Sequence, residues 1–199
     1  MDFCLWDNAL VEAKQSEAKI QNEFLGPDRI TQGFGLKPGD HAADFGAGHG
    51  YFAIAMARLV GREGKVYALD IRQEALDIVR SRARAEALLM VECLRADLDI
   101  IGGSRLKDRF CDFVLISDIL FQAEHRDMVA REAWRILREG GRMVMKEWDA
   151  VSGSSPVGPP PALRVKKDDA RALALQAGFQ FERDIPAGQD HYALLFIKK

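Results

Sequence analysis

The residues with the clearest chemical potential form a glycine-rich turn near the start of the chain. Asp44-Phe-Gly-Ala-Gly-His-Gly-Tyr51 lies between a predicted strand and a predicted helix. Glycines there permit positive φ angles and let a ligand approach the backbone amides at the positive end of the helix. The dinucleotide fingerprint G-x-G-x-x-G/A is not met, because Tyr51 stands at its third glycine position. Asp44 would repel a pyrophosphate and suits a ligand with positive charge.

Two further aspartates follow the next two apolar segments of the chain. Asp70 closes the segment Lys65–Asp70, and Asp97 comes just after Met90–Leu94. A carboxylate at the end of the second strand of such a fold can accept both hydroxyls of a ribose. Asp97 is placed to accept from an exocyclic amine, and a turn or helix N-cap role is the alternative for it. The three acids together predict a nucleoside ligand with a cationic, non-phosphorylated tail.

Strand-like and helix-like segments alternate from His41 onward and must position these residues. Buried-strand patterns occur at 42–45, 65–70, 90–94, 110–116 and 142–147, and helical periodicity occurs at 50–60, 73–86 and 126–138. This alternation predicts βαβ units, and therefore an α/β fold with a parallel sheet.

The chain changes character after residue 150. Val151–Pro161 is rich in glycine and proline and is predicted to be a stiff loop. A helix over Lys167–Ala177 is predicted to end before Gly178. Strands over Phe179–Asp184 and His191–Ile197 follow, and the short turn between them permits only an antiparallel pair.

The ends of the chain are interpreted as parts of one domain over residues 1–199. Residues 1–40 are predicted to form a helical preface, with a helix over Val11–Phe24 and a short helix over Arg29–Phe34 that Asp28 caps. The residues after the proline-rich loop are too few for a second core. The loop, taken as residues 151–164, is expected to lie over the acceptor side of the site.

Composition excludes several classes of protein. The 199 residues include 28 Lys+Arg and 30 Asp+Glu, for a net charge of −2, so no nucleic-acid partner is expected. The three cysteines are widely spaced, which predicts reduced thiols in a cytoplasmic protein and neither a disulfide framework nor a zinc site. No signal peptide and no membrane span is expected from the apolar pattern.

At this point the sequence resembles the class I S-adenosylmethionine-dependent methyltransferases. The resemblance rests on DFGAGHGY at 44–51, YALD at 67–70, RAD at 95–97, CDFVLISDILFQ at 111–122 and LREGGRMVM at 137–145. The tryptophan at 148 and the Gly-Pro-Pro-Pro run at 158–161 make it similar to the small ubiquinone/menaquinone-biosynthesis-type methylases. The resemblance implies a Rossmann-like three-layer sandwich with seven strands in the order 3-2-1-4-5-7-6, strand seven being antiparallel.

The resemblance also implies S-adenosylmethionine as the cofactor and a role for each matching residue. Asp44 and the glycines would hold the methionine end, Asp70 the ribose and Asp97 the adenine, while Ser117 and Asp118 would line the pocket after strand four. The complete set expected to bind the cofactor is Asp44, Phe45, Gly46, Ala47, Gly48, Gly50, Tyr51, Asp70, Ile71, Asp97, Leu98, Ser117 and Asp118.

No catalytic residue is identified, although three side chains near the strand ends are candidates. His125, Asp118 and Asp149 could act as general bases. A surface position is the alternative for His125, and a solvated carboxylate is the alternative for Asp149. No metal is expected.

The predicted function is methyl transfer to a small organic acceptor that the sequence does not identify. The Asn/Asp-Pro-Pro-Tyr/Phe motif is absent after strand four, which disfavours methylation of nucleic-acid bases and of protein glutamines. Two alternatives remain open: a non-catalytic module that binds S-adenosylmethionine, and an NAD-dependent oxidoreductase. The oligomeric state is not predicted.

Overall fold

The computed structural model describes residues 25–151 and 158–199, which form one seven-stranded sheet flanked by helices. The predicted helix over Val11–Phe24 and the centre of the proline-rich loop lie outside the described residues. The strands are β1 His41–Phe45, β2 Lys65–Asp70, β3 Val91–Arg95, β4 Cys111–Ser117, β5 Leu137–Trp148, β6 Gln180–Ile185 and β7 His191–Ile197. The α-helices are α1 Pro27–Thr31, α2 Tyr51–Val60, α3 Gln73–Ala85, α4 Arg126–Ile136 and α5 Lys167–Gln176.

The strand order is β3-β2-β1-β4-β5-β7-β6, which confirms the predicted topology. Strands β1 to β5 pair in parallel, and β7 runs antiparallel to both β5 and β6. Apolar residues of the central strands are buried on both faces of the sheet, where they meet two separate hydrophobic clusters. Burial on both faces explains why these strands are almost continuously apolar instead of alternating.

The chain order reverses between β1 and β4, which lie side by side at the centre of the sheet. The β1 connection runs through α2 towards one edge, and the β4 connection runs through α4 towards the other. The carboxyl ends of two such strands leave a crevice, because their connections diverge to opposite sides. The glycine turn after β1 and residues Ser117 and Asp118 at the end of β4 therefore meet at one place.

The fifth strand is longer than predicted and the helix before it is shorter. Helix α4 ends at Ile136, whereas the sequence predicts helix to Arg138, and β5 begins at Leu137 instead of Arg142. Leu137 is fully buried and pairs with Cys111 of β4, and this pairing outweighs its helical periodicity. The irregular register between Cys111 and Phe113 and the positive φ of Gly140 accommodate the extra residues.

The short helix near residue 30 also begins differently from the prediction. Its N-cap is Gly26 and Pro27 occupies the first turn, so Asp28 lies inside the helix instead of capping it. Proline is favoured at the first helical position because its missing N–H is unpaired there in any case. Asp28 instead forms a salt bridge of 2.6 Å with Arg58 of α2.

Within the described ranges, no helix has the length and apolar character required to cross a membrane. The assignment of residues 1–199 to a single domain stays a prediction.

Candidate functional site

A cavity of about 820 Å³ opens at the carboxyl ends of β1, β2 and β4. It is lined by every residue expected to bind the cofactor except Phe45 and Gly50. Phe45 is fully buried in the hydrophobic core, and Gly50 is the N-cap of α2. The cavity also includes residues that the sequence did not single out as cofactor contacts: Pro27, His49, Phe52, Arg72, Ala96, Asp99, Ile119, Gln122, Ala123 and Val129.

The glycine turn is shaped by positive φ angles and by close packing. Gly46, Gly48 and Gly50 have φ angles of 74°, 50° and 81°. A Cβ atom on Gly50 would lie 2.8 Å from Cγ2 of Val79, so this glycine lets α2 pack closely on α3. The third glycine thus serves helix packing, while Gly46 and Gly48 line the cavity.

Asp44 is the buried acid at the start of the turn. Its side chain is 1% exposed, and its Oδ2 has no hydrogen-bond partner. Burial raises the pKa of Asp44 to about 7, and the nearby negative charge of Asp70 adds to the rise. A buried, unpaired carboxylate oxygen is costly, so it indicates a place where a ligand supplies the missing partner.

Asp70 lies at the end of β2 and connects the glycine turn to a neighbouring arginine. Its Oδ2 accepts a hydrogen bond from the Gly48 amide, and its Oδ1 accepts one from the Arg72 amide, both at 2.9 Å. The Arg72 guanidinium also contacts Asp70, with Nε 3.2 Å from Oδ1. Arg72 was not predicted from the sequence, although its position two residues after Asp70 is a signal for such a contact.

The far end of the cavity is formed by the loop after β3. Asp97 Oδ1 accepts a hydrogen bond from the Asp99 amide at 3.1 Å, and Asp99 Oδ2 accepts one from the Glu124 amide at 2.9 Å. Asp97 is therefore a turn residue that also faces the cavity, so its two predicted roles are compatible. Leu98 and the half-exposed Ile71 supply apolar walls at this end.

The opposite wall is built where β4 and β5 end. Lys146 Nζ lies 2.6 Å from Asp118 Oδ2, and the Ser117 hydroxyl lies 3.4 Å from the same oxygen. Asp118 lines the cavity and has a positive φ of 56°. Because Lys146 is buried, its pKa is lowered, and the negative charge of Asp118 partly offsets that change. Lys146 reads as an ordinary strand residue in the sequence, which gives no signal of this contact.

Glu147 holds the backbone beside this wall. Its Oε1 accepts hydrogen bonds from the Ile119 and Leu120 amides at 3.0 and 2.9 Å. Burial raises the pKa of Glu147 to about 8. The carboxyl group thus fixes the turn after β4, and with it the backbone beside Asp118.

The three candidate bases occupy different environments. Asp118 lines the cavity, whereas His125 is exposed at the N-cap position of α4. Asp149 is half-buried, and its Oδ1 accepts a hydrogen bond from the Val151 amide at 2.9 Å. Of the three, Asp118 is the one whose side chain borders the cavity.

In the parts of the chain that the structure describes, no three His, Cys, Asp or Glu side chains are grouped to hold a metal ion. The cavity instead presents carboxylates along its length and the glycine turn at one end. This arrangement fits an adenosyl sulfonium, since a cationic group would compensate Asp44 and a ribose would meet Asp70. It does not fit a pyrophosphate, whose charge Asp44 would oppose.

The comparisons with known proteins agree with this geometry. The family model described as "Methyltransferase domain" matches residues 43–145. The ubiquinone/menaquinone biosynthesis C-methyltransferase UbiE of Neisseria meningitidis serogroup B is 28% identical over 116 residues, which are 58% of this chain and 46% of that protein. The chain therefore spans about half the length of this curated relative.

Two solved structures share the fold. A SAM-dependent methyltransferase from Aquifex aeolicus superposes with a TM-score of 0.79 at 22% identity, covering 90% of this chain and 93% of the other. The [4+2]-cyclase SpnF superposes with a TM-score of 0.72 at 17% identity, covering 86% of this chain and 79% of the other. The family model spans more than half of the chain, so the protein belongs to the methyltransferase domain family, the class I methyltransferases whose cofactor is S-adenosylmethionine.

Proposed function

We propose that this protein transfers the methyl group of S-adenosylmethionine to a small organic acceptor. The observation that carries the proposal is the carboxylate of Asp44, which is buried at the cavity wall with Oδ2 unpaired. A sulfonium or ammonium cation beside this oxygen would compensate its charge where water does not. The family membership of the chain supports the same ligand.

The remaining cavity residues support one orientation of this ligand. Asp44 and the glycine turn beside it would hold the methionine end, and Asp70 would accept from the ribose hydroxyls. Asp97 would accept from the adenine amine, with Ile71 and Leu98 against the flat face of the base. Ser117 and Asp118 would then border the transferable methyl group, because they lie at the end of β4 beside the glycine turn.

Alignment and water exclusion are what these residues contribute to the reaction. When bound, S-adenosylmethionine supplies an electrophilic methyl carbon on a good leaving group. Holding the two reactants in line can be worth about 7–11 kcal/mol. Carboxylates held at the ends of sheet strands are suited to this task, because they do not reorganise during the reaction.

For the acceptor we propose a chemical class and not a single compound. Relatives named for ubiquinone and menaquinone biosynthesis support a quinone-related acceptor methylated at carbon. We also propose that the loop over 151–164 borders the acceptor. Its described part supports this, because a Cβ on Gly158 would meet the Trp148 ring at 2.7 Å and the Arg164 guanidinium lies 5.3 Å from that ring's centroid.

A module that binds the cofactor without methyl transfer is the second candidate. The similarity to a chain named as a [4+2]-cyclase favours keeping it, because the fold does not fix the reaction. Such a module would bind S-adenosylmethionine as the enzyme does, but it would not transfer the methyl group.

The proposal is tested by calorimetric titration with S-adenosylmethionine, S-adenosylhomocysteine and NADH. We expect saturable binding of the first two and none of NADH, and we expect Asp44→Asn to weaken S-adenosylmethionine more than S-adenosylhomocysteine. Binding of NADH alone would overturn the proposal. Methyl-labelled cofactor incubated with a small-molecule cell extract then separates the candidates, since only the enzyme moves label into another compound.

A further inference from the structure

Three polar side chains from three adjacent strands meet behind the cavity wall. Asp118 follows β4, Lys146 lies near the end of β5, and His191 begins β7. Because β7 is antiparallel, its first residue pairs with Trp148 at the end of β5. Asp118 Oδ2 lies 2.6 Å from Lys146 Nζ, and Asp118 Oδ1 lies 3.5 Å from His191 Nε2. We call these three residues the Asp118 cluster.

The backbone holds Asp118 in an unusual conformation. Its φ of 56° lies in the left-handed region, and its amide donates to the Lys146 carbonyl at 2.9 Å. Outside glycine, such conformations are uncommon and concentrate at functional sites. The conformation places the carboxylate between the cavity and the two basic side chains, with 29% of the side chain exposed.

Two atoms of the Asp118 cluster are buried without a hydrogen-bond partner. Across residues 25–151 and 158–199, the buried side-chain atoms in this state are Asp44 Oδ2, Asp118 Oδ1 and His191 Nε2. The last two face each other. If Nε2 carries no hydrogen, both atoms are acceptors, and one added proton would join them as donor and acceptor. Asp118 Oδ1 and His191 Nε2 can therefore share one added proton.

The surroundings of His191 keep its imidazole ring neutral. Burial and the neighbouring Lys146 lower the pKa of His191 to about 4, against the opposing effects of Asp118 and Asp190 and with a smaller lowering from Arg164. The imidazole is therefore neutral near neutral pH and retains a free lone pair. Its ring is further fixed by Trp148, with ring centroids 4.0 Å apart.

We infer that Asp118 is the base that accepts the acceptor's hydroxyl proton during methyl transfer, with Lys146 and His191 as positioning residues. This inference rests on the proposed function, because it needs the cofactor's methyl group beside Ser117 and Asp118. Asp118 is the member of the cluster that lines the cavity, and 29% of its side chain is exposed. Lys146 fixes one carboxylate oxygen, and His191 lies against the other.

The step balances as a substitution at the methyl carbon. The hydroxyl proton passes to Asp118, where it can be shared with His191 Nε2, and the π electron pair of the neighbouring phenol or enol carbon forms the new bond to the methyl carbon. The carbon–sulfur bond breaks, and its electron pair stays on sulfur as the neutral thioether. The methylated carbon then releases its own proton to water, and Asp118 returns the hydroxyl proton to the oxygen. The cationic Lys146 stabilises the negative charge that develops on the acceptor oxygen.

The charges of the cluster specify the class of acceptor. A buried lysine cation paired with Asp118 behind the cavity wall opposes an ammonium group and favours an oxygen that becomes negative. The Phe52 ring also lines the cavity, and Lys146 Nζ lies 5.6 Å from its centroid. We therefore assign the acceptor to small, flat molecules with an acidic hydroxyl, that is, phenols or enols.

The test uses 4-nitrophenol, whose anion is coloured, as a probe of proton transfer on the protein. The full chain is first saturated with S-adenosylhomocysteine, and occupancy is verified by calorimetry for each variant. The probe is added in a buffer more acidic than its own pKa. We expect the wild-type protein to hold the bound probe mainly as the neutral phenol, because the negative carboxylate of Asp118 accepts its hydroxyl hydrogen bond and disfavours a second negative charge beside it.

Three variants separate catalysis from structure. Asp118→Asn keeps a side chain that tolerates positive φ and removes the negative charge beside the hydroxyl, so it is expected to raise the phenolate signal about tenfold, a change of one pKa unit. Lys146→Met is expected to lower the ionised fraction more than it weakens probe binding, a split that loss of packing alone would not produce. Asp184→Asn is the matched control, because Asp184 is exposed on β6, and it should leave the signal unchanged.

The outcomes distinguish this inference from the proposed function. If the wild type binds neither S-adenosylhomocysteine nor S-adenosylmethionine, the proposed function is wrong and this inference falls with it. If the protein binds them but the phenolate signal is no higher in Asp118→Asn than in the wild type, this inference alone is overturned.

Discussion

The amide of Gly48 donates a hydrogen bond to Asp70 Oδ2 over 2.9 Å. The two residues belong to separate motifs, the turn after β1 and the acid at the end of β2. The contact means that the acid expected at the ribose also holds the turn expected at the methionine end. Loss of either group should therefore affect both halves of the cofactor site.

The first prediction concerns Asp70. Asp70→Ala should weaken S-adenosylmethionine at least about tenfold, because charge-assisted hydrogen bonds contribute about 1.5–3 kcal/mol each. Calorimetric titration measures the change. Asp77→Ala is a suitable control, since Asp77 is an exposed acid on α3. Equal affinity in the wild type and Asp70→Ala would contradict the ribose assignment.

The second prediction is a pH dependence of cofactor affinity. Since burial raises the pKa of Asp44 to about 7, the carboxyl is protonated below that value and negatively charged above it. A cationic ligand prefers the charged form, so affinity for S-adenosylmethionine should rise as pH increases through about 7. Titrations over this range should show the rise in the wild type and a flatter profile in Asp44→Asn. The same slope in both proteins would exclude Asp44 as its source.

The third prediction follows from the same group and concerns folding. The pKa of Asp44 is higher in the folded protein, about 7, than its ordinary value of 3.8, so the folded state binds more protons between these values. Stability should therefore fall as pH rises from about 4 to 7. Asp44→Asn removes the buried charge and should stabilise the protein by about 1–3 kcal/mol near pH 8.

Urea denaturation at several pH values measures this effect. Glu147, whose pKa burial raises to about 8, contributes a slope of the same sign that remains in Asp44→Asn. A variant that is less stable than the wild type above pH 7 would argue against an uncompensated charge at Asp44.

The fourth prediction tests the packing role of Gly50. Gly50→Ala should destabilise the fold by about 1–3 kcal/mol, because the residue has a φ of 81° and its Cβ would meet Val79 Cγ2 at 2.8 Å. Gly39→Ala is the matched control, since Gly39 has a φ of 89° and open space at its Cβ. The difference in the free energy of unfolding between the two variants measures the cost of the contact with Val79. If adding Val79→Ala does not restore stability to Gly50→Ala, that contact is not the cause of the destabilisation.

The sequence predicts the sheet well because its signals are local. Buried strands, helical periodicity and the glycine turn each lie within a short segment, and the known handedness of βαβ units orders them. The error at Leu137 has a non-local cause: its pairing with Cys111 depends on the register between β4 and β5. A periodic pattern does not reveal a strand partner.

The lining of the cavity could be predicted where a motif is continuous and was missed where strands converge. Most of the turn at 44–51, Asp70 and Asp97 were predicted to bind the cofactor, and the structure brings them to one cavity. Lys146 and His191 were not identified, because they reach Asp118 through the pairing of β4, β5 and β7. His191 in particular begins an antiparallel strand, and nothing near it in the sequence indicates a site.

A crystal structure grown with S-adenosylhomocysteine is the sharpest test of the proposed cofactor site. We predict the ribose hydroxyls within hydrogen-bond distance of Asp70, the adenine against Ile71 and beside Asp97, and the amino-acid end next to Asp44. Density for the compound outside this cavity, or in the reverse orientation with adenine at the glycine turn, would contradict it.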